Sequence, residues 1–330
     1  MTTEIRDSIL ATLAYYDILD FPLTLFEIKK YLINPARFQI LPQAINEITL
    51  GGIQKELDYL CSAEKISSQN GFQFLNGREE LYEKRMEKDK IASAKWKKFL
   101  KISKWFAAVP YLRGFLVGGS LAYNNTVKDS DFDALIIAKS GRLYTCRVFL
   151  SLVASLFGAR RKRSDLVAPD KFCFNHYITD GNLNIKHESL YNAQSYANLK
   201  PVLISEELFK KFYGANVWLN KYVYNFRPAD DFVLRKIKPS LTLALFAGIA
   251  EKVLNSFWGN WLEGILKHFQ QKRIKNNSAT YESGGRVVFN DNELEFHPRS
   301  FEKVLLAKYN AGLKKAGIFT VGEEKDSGLN

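Results

Sequence analysis

The sequence predicts an α+β protein in three consecutive parts, and three patterns carry that prediction. Residues 1–88 combine helical periodicity with a helix-capping signal and a tight-turn dipeptide. The middle of the chain carries short apolar runs bounded by glycine and aspartate, the mark of buried strands. The rest is dominated by apolar residues at helical spacing. The expected parts are a winged-helix-like domain at 1–88, a mixed-sheet domain at 89–200, and a mostly helical region with one small hairpin at 201–330.

In the first part, Ile5, Ile9, Leu10 and Leu13 share one helical face. Thr24-Leu25-Phe26-Glu27 is a capping box and opens a second helix. Pro35 and Pro42 bracket an irregular connection, and a third helix follows Gly51-Gly52 through Ile53 to Leu60. Asn70-Gly71 between Ile66-Ser67-Ser68-Gln69 and Phe72-Gln73-Phe74-Leu75 marks a hairpin. Three helices followed by a hairpin is winged-helix order. A charged helical stretch from Glu79 to Lys104 then presents Trp96, Phe99, Leu100 and Trp105 at core spacing.

Further along, Ser140-Gly141-Arg142 opens a helix running to about Phe157. A second hairpin is expected with Phe172 to Ile178 against Leu183 to Glu188 about an Asp180-Gly181 turn. From Leu190 to Trp218 the apolar spacing reads as helices. Leu241 to Phe257 reads as a buried amphipathic helix, with a surface-lying membrane helix as the alternative, since Glu251, Lys252 and Asn255 interrupt it too often for a membrane span. A small hairpin is expected across Arg286 to His297 and a last helix from Phe301 to Leu313. Val321 to Asn330 is expected to fray.

The N-terminus carries acids where a signal peptide would be apolar, so a cytoplasmic location without a membrane span is expected. Three distant cysteines, Cys61, Cys146 and Cys173, fit free thiols. Net charge is +12, unevenly placed: residues 1–88 carry −3 and residues 89–330 carry +15. Phosphate-bearing ligands are therefore expected in the later part. The acidic winged-helix-like part is poorly charged for DNA, so DNA binding is not expected of it.

The most informative residues are Gly118-Gly119-Ser120 and Ser130-Asp131-Phe132-Asp133. A glycine turn lets backbone approach a phosphate, because no Cβ intrudes. Asp131 and Asp133 alternate into the apolar run Ala134 to Ala138, so they share a strand face while Phe132 turns to the core. Paired carboxylates beside such a turn suit Mg²⁺ shared with substrate phosphates. Arg142, at a helix N-terminus, is a candidate for a triphosphate, as is the basic run Arg160-Arg161-Lys162-Arg163.

An apolar strand (Phe115-Leu116-Val117), Gly119-Ser120, and Asp131-x-Asp133 at the start of a second strand resemble the polymerase-β-like nucleotidyltransferase superfamily, closest to its minimal and antibiotic-type members. The resemblance is tight over about residues 112–138. It implies a palm-type domain, two Mg²⁺ ions on Asp131 and Asp133, and nucleotide binding at Gly118, Gly119, Ser120 and Ser130. It further implies transfer of an NMP from an NTP to a small molecule, RNA or protein acceptor, with release of pyrophosphate. Such enzymes add a third acid from a later strand. Here the expected strand offers Asn175, and Glu188, on the same face of the expected hairpin, is the candidate catalytic substitute. The alternative is a non-catalytic nucleotide sensor acting through the winged helix on DNA or a protein partner.

Overall fold

The computed structural model describes residues 2–38, 47–162, 165, 167–228, 236–298, 300–318, 320 and 322–328. Pro42, Arg163, Val321, Leu329 and Asn330, which enter the sequence expectations, lie outside the described residues. The chain begins with α1 (Thr2–Asp17), β1 (Leu23–Thr24), α2 (Leu25–Tyr31), α3 (Leu50–Ser62), β2 (Ile66–Gln69) and β3 (Phe72–Leu75). The Thr24–Glu27 capping box is present with both reciprocal hydrogen bonds. Asn70 and Gly71 both take positive φ, 51° and 84°, as a type I′ hairpin requires. The three strands pair antiparallel in the order β1-β3-β2; β1 was not expected from the sequence.

Next come α4 (Leu81–Ser103), β4 (Leu112–Val117), the short α5 (Gly119–Ala122), β5 (Phe132–Ala138), α6 (Leu143–Leu156), β6 (Phe172–Thr179), α7 (Leu190–Ala197), β7 (Lys200–Ile204) and α8 (Glu206–Ala215). The chain continues with α9 (Leu241–Leu254), α10 (Phe257–Lys275), β8 (Arg286–Phe289), β9 (Glu293–His297) and α11 (Glu302–Ala316). The fold is α+β. Its main sheet has the order β7-β4-β5-β6-β9-β8, with only β5 and β6 parallel.

Strand alternation divides the core between the two faces of this sheet. Phe115, Val117, Phe132, Ala134 and Ile136 pack with Trp96 and Phe99 of α4 and Leu150 of α6. Leu116, Leu135 and Ile137 pack with Ala193 of α7 and Phe209 and Phe212 of α8. Trp105, expected in the core, is 41% exposed.

Four expectations about the later chain fail. The hairpin from Phe172 to Glu188 does not form: β6 already has β5 on one edge and β9 on the other, and only an isolated Thr179–Asn182 bridge remains. Asp180 instead accepts hydrogen bonds from Ser140 N–H (2.8 Å) and Ser140 Oγ (2.9 Å). Residues 201–330 are mostly helical and carry the expected hairpin across Arg286 to His297, but they do not stand apart, because β7, β8 and β9 complete the central sheet. Leu305, Leu306, Tyr309 and Leu313 of α11 enter the N-terminal core, where the Tyr309 ring meets Tyr15 at 6.0 Å. Among the described residues of the expected frayed end, Glu324 and Ser327 are anchored: Arg37 Nε donates to Glu324 at 2.7 Å and Ser327 N–H to Glu302 at 2.9 Å. Finally, α9 is not buried; Ala247 is its one buried residue.

Candidate functional site

The site forms where β4 ends and β5 begins. The two strands are antiparallel, with Val117 opposite Ala134, so the turn after β4 falls beside Asp133. Gly118 N–H donates to the Asp133 carbonyl at 3.0 Å. Gly119 has φ +58°, and a Cβ on it would lie 2.2 Å from Asp133 Oδ2. Only glycine accepts both the conformation and that approach. Phe132 is fully buried, which turns Asp131 and Asp133 together to the opposite face.

The parallel neighbour β6 brings Cys173 opposite Asp133. Ligand atoms of Asp131, Asp133 and Cys173 lie within 4.8 Å of one another. Beyond this pair, β6 carries one residue more than β5 before Leu135 meets His176. At this bulge Asn175 Nδ2 donates to Asp133 Oδ1 at 3.0 Å. Arg161 bonds the Asp131 carboxylate and reaches Cys173 Sγ at 3.8 Å. The loop before Asp131 is tied to α4, where the buried Lys95 ammonium donates to Ser130 O (2.7 Å) and Asp170 (2.7 Å).

Burial, reinforced by the neighbouring Asp131 carboxylate, pushes the Asp133 carboxyl up to about 7, against the opposing pull of Arg161 and the Asn175 amide. Burial and the two aspartates push the Cys173 thiol far up, so it remains protonated and makes a poor ligand for a hard cation. Arg161 therefore only partly balances the negative charge at Asp131 and Asp133. Asp131 and Asp133, with the Asn175 amide beside them, are oxygen donors of the type that a hard divalent cation takes. Among the described residues, no third carboxylate joins them.

Several predicted residues fall elsewhere. Glu188 forms an ion pair with Lys221 at 2.7 Å, since the hairpin that would have carried it toward Asp133 is absent. Arg142 follows the far end of β5, roughly 20 Å from Asp131 at about 3.3 Å per residue. It bonds Asn260, and the α6 N-terminus beside it is already capped by Glu263, which accepts from Tyr144 N–H (2.9 Å) and Thr145 N–H (2.8 Å). Ser130 Oγ accepts from Val127 N–H at 3.1 Å and so shapes the loop. Ser120 is half-buried next to Gly119.

The bulge also moves His176 onto the aspartate face of the sheet, contrary to strict alternation. There it is buried, with Nε2 3.2 Å from Glu293 and Nδ1 3.0 Å from Tyr196 Oη. Arg286 donates to both oxygens of adjacent Glu295, at 2.9 and 2.8 Å. This second cluster therefore already contains its own cation.

Sequence reasoning missed the positions of Arg161 and Lys95. Arg161 was visible as part of a basic run, but nothing local linked it to Asp131. Comparison with protein-family models, curated proteins and solved structures gave no match.

Proposed function

We propose that this protein is a Mg²⁺-dependent nucleotidyltransferase that moves an NMP from an NTP to a hydroxyl-type acceptor and releases pyrophosphate. The observation that carries this reading is the Gly119 backbone lying against the Asp133 carboxylate, with Asp131 on the same face. A glycine turn without Cβ atoms is the kind of backbone that a phosphate can approach. Asp131 and Asp133 would hold the ion, which when bound stabilises charge on the reacting phosphate. Arg161, which bonds Asp131, would exchange that contact for a phosphate oxygen. The donor set favours one ion over two.

The test is pyrophosphate release from each NTP with Mg²⁺ and a cell extract as acceptor source, against an Asp131→Asn/Asp133→Asn control. Release no greater than the control would end the proposal. A second reading, nucleotide binding without turnover, is favoured by Arg161 on Asp131 and by Cys173 and Asn175 where a third acid is expected. It predicts Mg²⁺-dependent NTP binding with no pyrophosphate, and retention of DNA or a protein partner that changes with nucleotide.

A further inference from the structure

Helices α9 and α10 leave an unusual amount of apolar surface uncovered. On α9, Leu245, Phe246, Ile249 and Val253 are 54–67% exposed and fall on one helical face. On α10, Trp258, Trp261, Ile265 and Phe269 repeat the pattern at 43–71% exposure. Large exposed apolar side chains repeating on one face of a helix mark a surface built to meet another phase or molecule.

The charges on the two helices are sorted by direction. Both acids are turned into the protein body. Glu251 accepts from Arg113 (2.9 and 2.8 Å) and from Tyr111 N–H (2.7 Å), and Glu263 caps α6. Lys252, Lys272, Arg273 and Lys275 are exposed. The outward charge of the helix pair is thus cationic, bordering an apolar face that carries two tryptophans.

We infer that this face lies on an anionic lipid bilayer, with the apolar side chains at the acyl boundary and the cations among the headgroups. Tryptophan favours that depth, having an apolar body and an N–H donor. Length keeps α9 from crossing: its 14 residues reach about 21 Å, short of the roughly 30 Å hydrocarbon layer. No described helix is long and apolar enough to cross a membrane. A second copy docked by two-fold symmetry would bring like cations toward one another, which disfavours that occupant. Glu251 grips Tyr111 and Arg113, where β4 starts and β5 ends. Asp131 and Asp133 lie at the opposite end of β5, so the site is held away from the lipid.

The experiment is co-sedimentation of the full chain with phosphatidylcholine vesicles, with and without one quarter phosphatidylglycerol, at low and high salt. The expected result is binding to the anionic vesicles that weakens with salt. Phe246→Asp/Trp258→Asp should reduce partitioning at least about tenfold, and Lys252→Glu/Lys272→Glu should reduce it on anionic vesicles. The lysine variant and the blue shift of wild-type tryptophan emission on vesicle addition decide the matter if the apolar variant misfolds. Absence of binding to either vesicle overturns the inference. So does a concentration-dependent dimer, seen by sedimentation without lipid and abolished by the same substitutions, in a protein that ignores vesicles.

Discussion

Gly119→Ala tests the packing on which the site depends. The added Cβ would stand 2.2 Å from Asp133 Oδ2 and 3.0 Å from its Cβ and Cγ, on a backbone with φ +58°. The left-handed conformation alone costs about 1–2 kcal/mol for a residue bearing a Cβ. Relieving the clash requires Asp133 to rotate, which breaks the Asn175 hydrogen bond, about 1.5–3 kcal/mol for a bond to a charged group. The expected loss is therefore about 2.5–5 kcal/mol. Gly141→Ala is the control, since Gly141 has φ +73° and open space where its Cβ would go. It should lose only the backbone part, about 1–2 kcal/mol. Equilibrium urea unfolding at pH 8, where Asp133 is ionised, measures both. In an Asp133→Ala background, which removes the carboxylate but keeps the Cβ 3.0 Å away, the Gly119→Ala loss should fall toward that of Gly141→Ala. Equal losses for Gly119→Ala and Gly141→Ala in the wild-type background, or an unchanged loss in the Asp133→Ala background, would refute the close approach.

Two further outcomes follow from burial and charge. Asp133 has its pKa raised from an ordinary 3.8 to about 7, so the fold favours its protonated form. Its cost is absent below pH 4, grows as pH rises, and is complete above about pH 7. Asp133→Asn should stabilise the protein at pH 8 and leave it unchanged at pH 3.5, and thermal unfolding across that range would expose a flat difference as a failure. Arg286→Met would strand Glu295 and Glu302, both fully buried, without their shared cation. A loss of about 3–5 kcal/mol in urea unfolding is expected, and a loss below about 1 kcal/mol would show the cluster to be neutralised some other way.

Local signals were legible in the sequence wherever one segment alone settles the outcome. The Thr24–Glu27 cap, the Asn70-Gly71 turn and the alternation that turns Asp131 and Asp133 together all follow from dihedral preferences and strand periodicity acting over a few residues. Gly119 belongs here too, because a glycine demanded by close approach is written into the turn itself.

What only the tertiary structure decided is which distant segments become neighbours. Residues 293–297 rather than 183–188 flank β6, and this removed Glu188 from the site. The β6 bulge aimed Asn175 at Asp133 and turned His176 to the same face, whereas strict alternation placed them oppositely. Arg161 reaches Asp131 across 30 residues. Whether an apolar helix is covered depends on what remains to cover it, so α9 reads as core in sequence and stands exposed in the fold. Periodicity specifies a face, while the partner of that face is chosen by the whole chain competing for contact.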